Sequence, residues 1–181
     1  SVHRLRRPGN PGPRIAEVCG GMLNCVGIPS AGIEAFLRDE LPRYENIGTQ
    51  VILSISGSEP VHYAEIAELV GDDPRIAALE MNLSCPNVGS GLPFSSDPQL
   101  LYDTVRQTRQ RTTLPLYAKL SPNVTDIRVS CRAAEDAGAD ALTLSNTFRA
   151  MTIDIQKRRP YLGNLSGGMS AGDSPAKQRG R

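Results

Sequence analysis

The sequence predicts an α/β fold in which strands and helices alternate along the chain. Short apolar runs typical of buried strands begin near residues 51, 76, 115 and 139. Stretches with helical spacing of apolar residues follow the first three runs, and the connecting loops are short. This alternation favours parallel strand pairing with right-handed crossovers, so we expect about four βα units.

The chain before the first of these strands has a different character. Residues 1–32 are predicted to be irregular, because closely spaced prolines and glycines exclude a regular helix. These residues are Pro8, Gly9, Pro11, Gly12 and Pro13. Apolar residues at helical spacing then predict a helix over residues 33–41, which Pro42 is expected to close.

The first two units carry recognisable helix-start signals. Ser58 and Pro60 provide a cap and a first-turn proline for the helix after strand 51–55. Asp97 and the proline that follows it open the helix after strand 76–83.

The next unit has signals at both ends of its helix. Thr125 or Asp126 is expected to cap the helix after strand 115–120. Gly138 is expected to end that helix, just before a strand at residues 139–145.

Every predicted strand ends in polar residues. They are Ser54, Ser56, Asn82, Ser84, Cys85, Lys119, Ser121, Ser145, Asn146 and Thr147. The carboxyl ends of strands in a βα barrel gather on one rim, which holds the active site. A doubly wound sheet would also collect them at one edge, but no Gly-rich dinucleotide fingerprint follows any strand. We therefore favour the barrel.

Beyond the fourth strand the pattern fades. Residues 153–162 are predicted to form an extended excursion, and residues 171–181 are predicted to be disordered. This division predicts a single βα-barrel domain at 1–170 followed by a tail at 171–181.

Composition excludes several classes of function. The net charge is +1, with 39% hydrophobic and 22% charged residues, which argues against nucleic-acid and membrane-surface partners. No apolar run is long enough to span a membrane. The four cysteines lack CxxC spacing, so neither zinc nor iron-sulfur ligation is expected, and a cytoplasmic location is the expectation.

Cys85 offers the most reactive group at the predicted rim. As a thiolate it would be a nucleophile or a base, and the alternative is a buried structural cysteine. No histidine follows a strand end, which argues against a Cys-His protease pair.

Four asparagines lie at strand ends or in adjacent loops. They are Asn24, Asn82, Asn87 and Asn146. Several amides match a planar ring that carries imide N–H and C=O groups, whereas the alternative is turn-forming asparagine.

Lys119 and a glycine pair complete the candidate site. Lys119 ends an apolar strand, where it can hold an anionic cofactor or a reduced flavin, or simply reach solvent. Gly167 and Gly168 offer backbone N–H groups to a phosphate, or form a linker.

Together these residues resemble the class 1 dihydroorotate dehydrogenases, most closely class 1B. The motifs that carry the resemblance occur in family order between residues 8 and 170. They lie at residues 9–14 (GNPGPR), 21–28 (GMLNCVGI), 82–87 (NLSCPN), 119–127 (KLSPNVTDI), 137–142 (AGADAL), 146–147 (NT) and 167–170 (GGMS).

The resemblance implies an activity and its residues. It implies oxidation of dihydroorotate to orotate, with hydride transfer from C6 of the substrate to FMN and removal of the C5 proton by Cys85. The implied substrate contacts are Asn24, Val26, Gly27, Ile28, Asn82, Asn87, Asn146 and Thr147. The implied FMN contacts are Asn82, Lys119, Ser145, Gly167, Gly168 and Ser170. Dihydropyrimidine dehydrogenase shares the barrel and a Cys-Pro loop but usually has His after that pair, so Asn87 favours dihydroorotate.

The resemblance leaves the electron acceptor open. Class 1B implies a partner subunit with FAD and an iron-sulfur cluster that passes electrons to NAD. Class 1A would instead use fumarate and form a homodimer.

The sequence departs from the family pattern in several places. Ser54 stands where an Asn usually contacts the flavin, Ser145 stands at an apolar contact, and Ala171 replaces a Gly. The family barrel has eight strands and four are counted here, so we expect an incomplete barrel, either a central fragment of the enzyme or a non-catalytic remnant. The residues after Ser170 suggest a frameshift. Alone, such a chain is expected to be marginally stable, to aggregate and to lack a complete flavin site.

Overall fold

The computed structural model describes residues 1–84 and 93–171. The chain divides into two compact units. The first comprises Ser1–Arg7 and Ser30–Asn146, and the second comprises Pro8–Pro29 and Thr147–Arg181.

The described elements are short strands and four α-helices. The strands are β1 (Val2–His3), β2 (Ile15–Val18), β3 (Gly21–Asn24), β4 (Val51–Ser56), β5 (Ile76–Asn82), β6 (Leu116–Lys119), β7 (Ala141–Thr143), β8 (Phe148–Ala150), β9 (Ile153–Asp154), β10 (Arg159–Pro160) and β11 (Gly167–Ala171). The α-helices are α1 (Ile33–Ala35), α2 (Pro60–Val70), α3 (Pro98–Arg109) and α4 (Ile127–Asp136). A π-helical segment (Phe36–Glu40) and two 3-10 segments (Leu41–Tyr44 and Phe94–Ser96) complete the list.

The first unit is built on a parallel sheet. Its strands lie in the order β1-β4-β5-β6-β7, and every neighbouring pair is parallel. Helices α2, α3 and α4 connect β4 to β5, β5 to β6 and β6 to β7 in turn. The predicted α/β fold with a parallel sheet and alternating helices is confirmed.

The two faces of this sheet differ in chemistry. Side chains alternate along each strand, and one set packs into the core with the helices. That set is Leu53, Ile55, Leu79, Met81, Leu116 and Ala118, all at most 4% exposed. The register places Ser54 beside Glu80, and Asn82 beside Lys119, on the opposite, polar face. The polar strand ends therefore share one face.

Two of the three predicted helix caps are confirmed. The Asp97 side chain accepts hydrogen bonds from the backbone N–H groups of the first turn of α3, and Asp126 accepts one from Arg128. The prediction of Ser58 as the cap of α2 is wrong, because Glu59 is the N-cap and its side chain makes no capping bond. Pro60 starts the helix as predicted and needs no N–H partner there.

The first helical stretch and the fourth strand also differ from prediction. Pro42 does not close the stretch, because it lies in the first turn of the segment Leu41–Tyr44, where no backbone N–H is required. Strand β7 is shorter than residues 139–145. The N–H of Ala139 still bonds to the carbonyl of Ala134 at the end of α4, so the strand begins only at Ala141.

Residues 1–32 are not irregular throughout. Strand β1 pairs with β4, and β2 and β3 form an antiparallel hairpin. In the second unit β3 also pairs with β11, which pairs with β8. The prolines cluster before the hairpin, and β1 and β3 pair with strands that are distant in sequence, so local composition did not reveal these strands.

The predicted excursion at 153–162 includes the antiparallel pair β9 and β10. Ala171 is the last residue of β11, and the rest of the predicted tail lies outside the described residues. None of the helices in the described ranges is both long enough and apolar enough to cross a membrane.

Tyr63 and Phe94 anchor the core of the first unit. Both side chains are fully buried, and their rings meet edge to face with centroids 5.5 Å apart. The Tyr63 hydroxyl donates a hydrogen bond to the backbone carbonyl of Asn82 at 2.8 Å. The core is thereby tied to the end of the central strand.

His3 is buried at the end of β1. Its side chain is 6% exposed, and within the described residues its Nε2 atom has no hydrogen-bond partner. Burial, aided by the nearby charges of Arg7 and His62, lowers the pKa of His3 to about 4.

This pKa predicts a loss of stability in mild acid. The folded state disfavours the imidazolium, whereas the unfolded chain binds the proton below about pH 6.5. The free energy of unfolding should therefore fall as pH drops from about 6.5 towards 4, by at most about 3 kcal/mol. Urea titrations of the parent and of His3→Gln across this window measure the effect. His62→Gln, which removes the only other histidine, should still lose stability as the pH falls. Equal pH slopes in the parent and His3→Gln would contradict the assignment.

Candidate active site

The polar face of the first unit carries a hydrogen-bonded chain of side chains at the strand ends. The Asn146 amide Nδ2 donates to Asn82 Oδ1 at 3.0 Å, and Asn82 Nδ2 donates to Ser1 Oγ at 3.2 Å. The hydroxyls of Ser1 and Ser54 are 2.8 Å apart. Residues on β4, on β5 and after β7 therefore meet at one edge of the sheet, as the sequence predicted for Asn82 and Asn146.

Backbone bonds fix the two asparagines. The N–H of Asn146 donates to the carbonyl of Leu120 at 3.0 Å, just after β6. Asn82 ends β5, and its carbonyl accepts the bond from Tyr63. Both amides are thus held by regular structure, which suits a site that needs fixed geometry. Ser145, beside Asn146, is exposed and donates to the carbonyl of its neighbour.

Lys119 lies on the same face as this chain of side chains. Its Nζ atom is 4.0 Å from Glu80 Oε2, with the two side chains 30% and 20% exposed. Glu80 Oε1 accepts a hydrogen bond from Thr143 Oγ1 at 3.0 Å. A cation, a carboxylate and a hydroxyl from three adjacent strands therefore form one connected group.

Cys85 and Asn87 lie outside the described residues. The residues on either side of that segment are well anchored. The N–H of Leu83 donates to the carbonyl of Lys119, and the N–H of Ser95 donates to the carbonyl of Leu83. The last described residues before this segment, Leu83 and Ser84, follow Asn82 at the end of β5.

In the second unit, Asn10 organises the backbone around Val26. Its Nδ2 donates to the carbonyl of Cys25 at 3.0 Å, and its N–H donates to the carbonyl of Val26 at 3.1 Å. Gly27 has φ +77°, and a Cβ there would lie 2.6 Å from the backbone nitrogen of Asn10. Only glycine fits this approach. Ile28 follows, also at positive φ.

The remaining predicted contacts surround β11 in the second unit. The Asn24 Nδ2 atom donates to the carbonyl of Gly168 at 3.2 Å. A Cβ on Gly168 would collide with the hydroxyl of Thr147, so close packing alone requires this glycine. Gly167 starts the strand, and Ser170 is exposed opposite Met22.

A cavity in the first unit lies beside this edge, but the amides and the lysine of the candidate site do not line it. Its volume is about 420 Å³, and its walls include Phe36, Tyr44 and Ile52 as well as Ser54. Neither Asn82 nor Lys119 lines it. Across residues 1–84 and 93–171, no three His, Cys, Asp or Glu side chains cluster as a metal site requires.

Sequence reasoning missed Glu80 and Thr143. A glutamate in the middle of an otherwise apolar strand was the available signal, because acidic side chains are rarely placed there without a partner. Its partner is Lys119, one strand away, and only the strand register identifies it.

Comparison with known proteins identifies the family. A family model described as dihydroorotate dehydrogenase matches residues 1–176. The chain belongs to the dihydroorotate dehydrogenase family. The resemblance inferred from the sequence motifs is confirmed.

Curated relatives in this family are about 50% identical to the chain over the aligned residues. The catalytic subunit of dihydroorotate dehydrogenase B (NAD(+)) from Desulforudis audaxviator is 52% identical over 165 residues, which cover 91% of this chain and 54% of that protein. The proteins of the same description from Pelobacter propionicus and Geobacter sulfurreducens are 48% and 47% identical over the same coverage. The chain spans about half the length of the curated relatives that it matches.

Proposed function

We propose that this chain provides the substrate-binding rim of a dihydroorotate dehydrogenase, which oxidises dihydroorotate to orotate in pyrimidine biosynthesis. The observation that carries the proposal is the hydrogen-bonded pair Asn82 and Asn146 on the polar face that also bears Lys119. We infer that the parallel sheet is part of a (β/α)8 barrel, and that residues 1–170 belong to one FMN-binding domain.

The two asparagines suit the substrate ring. Dihydroorotate carries imide N–H and C=O groups, and amides offer both donors and acceptors to match them. Because Asn82 and Asn146 are fixed through backbone bonds at β5 and after β6, they lose little freedom on binding. The family resemblance assigns further ring contacts to Asn24, Asn87 and Thr147, and carboxylate contacts to the backbone of residues 26–28.

The described residues fit FMN as the cofactor. Lys119 provides a cation for an anionic flavin, and the Asn82 amide lies on the same face. The resemblance adds Ser145, Gly167, Gly168 and Ser170 as contacts. When bound, FMN would supply the hydride acceptor for C6 of the substrate.

We assign the proton-abstracting base to Cys85. The residue follows β5 closely, so its thiolate would act at the edge where the two asparagines hold the ring. The base would take the proton from C5 of dihydroorotate while the amides keep the ring oriented.

We further propose that the complete enzyme works with an electron-transfer subunit. The relatives are named catalytic subunits of an NAD(+)-dependent enzyme, which implies a second subunit that passes electrons onward. The class 1B resemblance favours FAD and an iron-sulfur cluster in that subunit, and NAD as the acceptor.

Anaerobic flavin bleaching tests the proposed function. A polypeptide that contains this chain and is extended to the full length of its relatives should bind one FMN and lose its visible flavin absorbance when dihydroorotate is added. The 181-residue chain alone should not retain stoichiometric FMN. Dihydrouracil is the matched control, because it keeps the imide ring but lacks the carboxylate.

The outcomes separate the candidate functions. Bleaching by dihydroorotate only supports the proposal. Faster bleaching by dihydrouracil would instead support a dihydropyrimidine dehydrogenase-like barrel. FMN binding without bleaching by either compound would support a non-catalytic member of the family.

A further inference from the structure

We propose that Glu80 is a positioning residue that holds the Lys119 ammonium on the polar face, and that Thr143 in turn fixes the Glu80 carboxylate. The proposal rests on the proposed function only in the role it gives Lys119. The three side chains come from the adjacent strands β5, β6 and β7.

The strand register dictates this arrangement. Glu80 lies opposite Tyr117 and Asn82 lies opposite Lys119, so the Glu80 carboxylate approaches the lysine diagonally from the neighbouring strand. Lys119 lies opposite Thr143 on the next strand. The glutamate therefore reaches past the lysine's strand to the hydroxyl, and the lysine lies beside this bridge.

The two carboxylate oxygens of Glu80 contact different partners. Oε1 accepts the Thr143 hydrogen bond at 3.0 Å, and Oε2 faces Lys119 Nζ at 4.0 Å. The hydroxyl bond prevents rotation of the carboxylate away from the lysine. A lysine alone has four rotatable bonds and a mobile ammonium, so this contact restricts where its charge lies.

Partial burial distinguishes the Glu80–Lys119 pair from ion pairs on the open surface. The Lys119 and Glu80 side chains are 30% and 20% exposed, whereas both side chains of a surface pair such as Arg111 with Glu68 are more than half exposed. Screening by solvent is therefore weaker for Glu80 and Lys119 than at the surface. A carboxylate here also offsets part of the positive charge that Lys119 presents to an anionic ligand.

Lysine acylation of the 181-residue chain tests the positioning without any cofactor. The sequence contains three lysines, Lys119, Lys157 and Lys177, so limited acetic anhydride labelling read by mass spectrometry resolves each one. Glu80→Gln keeps the shape of the side chain and removes its charge. It should raise labelling of Lys119 relative to Lys157 by about two- to five-fold.

Two substitutions of Thr143 test the bridge. Thr143→Val removes the hydroxyl and should increase Lys119 labelling, but it should add nothing in the Glu80→Gln background. Thr143→Ser keeps the hydroxyl and should match the parent. A merely structural role of Glu80 would change the unfolding midpoint and leave relative labelling unchanged, which would overturn the proposal, as would additive effects of the two changes.

Flavin redox potential provides the second measurement. In the FMN-loaded full-length protein, Glu80→Gln should raise the reduction potential of the flavin. The carboxylate then no longer offsets the positive charge of Lys119, which stabilises the anionic reduced form. Lys119→Met should lower it and should abolish the effect of Glu80→Gln. If FMN does not bind at all, the proposed function fails while the labelling result still decides the role of Glu80. If Glu80→Gln leaves the relative labelling of Lys119 unchanged, the positioning role is wrong and the proposed function stands.

Discussion

Replacing Cys85 with serine is expected to lower the rate of flavin reduction by dihydroorotate by about 10²- to 10⁴-fold, the usual contribution of a positioned base. A serine hydroxyl is a much weaker base than a thiolate but occupies nearly the same space. Substrate affinity should change little, because the asparagine amides remain in place. Anaerobic stopped-flow mixing of the FMN-loaded full-length protein with dihydroorotate measures the rate of reduction directly.

Cys131→Ser is the matched control for this change. Cys131 lies in α4, where burial raises the pKa of its thiol and nearby carboxylates raise it further. Such a thiol is a poor base at neutral pH, so Cys131→Ser should reduce flavin at the parental rate. Unchanged flavin reduction in Cys85→Ser would remove Cys85 as the base, and the asparagines would then need a different partner in the reaction.

Replacing Phe94 with alanine is expected to destabilise the first unit by about 3–5 kcal/mol. The side chain is fully buried, so its loss removes apolar contacts and leaves a cavity beside the Tyr63 ring. Urea unfolding followed by circular dichroism measures the change in the free energy of unfolding. Leu5→Ala provides the control, because Leu5 is 69% exposed and should change stability by no more than about 0.5 kcal/mol.

The consequence of Phe94→Ala should extend to the candidate site. Phe94 supports the ring of Tyr63, whose hydroxyl holds the carbonyl of Asn82 at the end of β5. At temperatures where the variant remains folded, it should therefore bind substrate more weakly than the parent. A variant as stable as Leu5→Ala would show that the region around Phe94 repacks without a cavity.

The sequence predicted the central βα units because their information is local. Apolar runs and helical spacing depend on neighbouring residues, and Asp97 and Asp126 cap their helices through bonds two or three residues away. Strand β3 was missed because it pairs with β11, more than 140 residues later and rich in glycine, and β2 pairs with β3. No local pattern encodes such a partner.

The candidate site likewise contains residues that local patterns reveal and residues that only the strand register identifies. Asn82, Lys119 and Asn146 were found from their positions at strand ends, which local patterns reveal. Glu80 was missed because its role depends on the register that brings Lys119 and Thr143 to it.

The sequence by itself determined the family, through motifs spread from residue 9 to residue 170, and it determined the alternation of strands and helices. Only the tertiary structure decided which polar side chains touch. It joined Asn146 to Asn82, and Thr143 to Glu80, across more than 60 residues of chain. The physical reason is that parallel pairing aligns strands that are far apart in sequence, and a shift of one residue in register would turn these side chains to the other face.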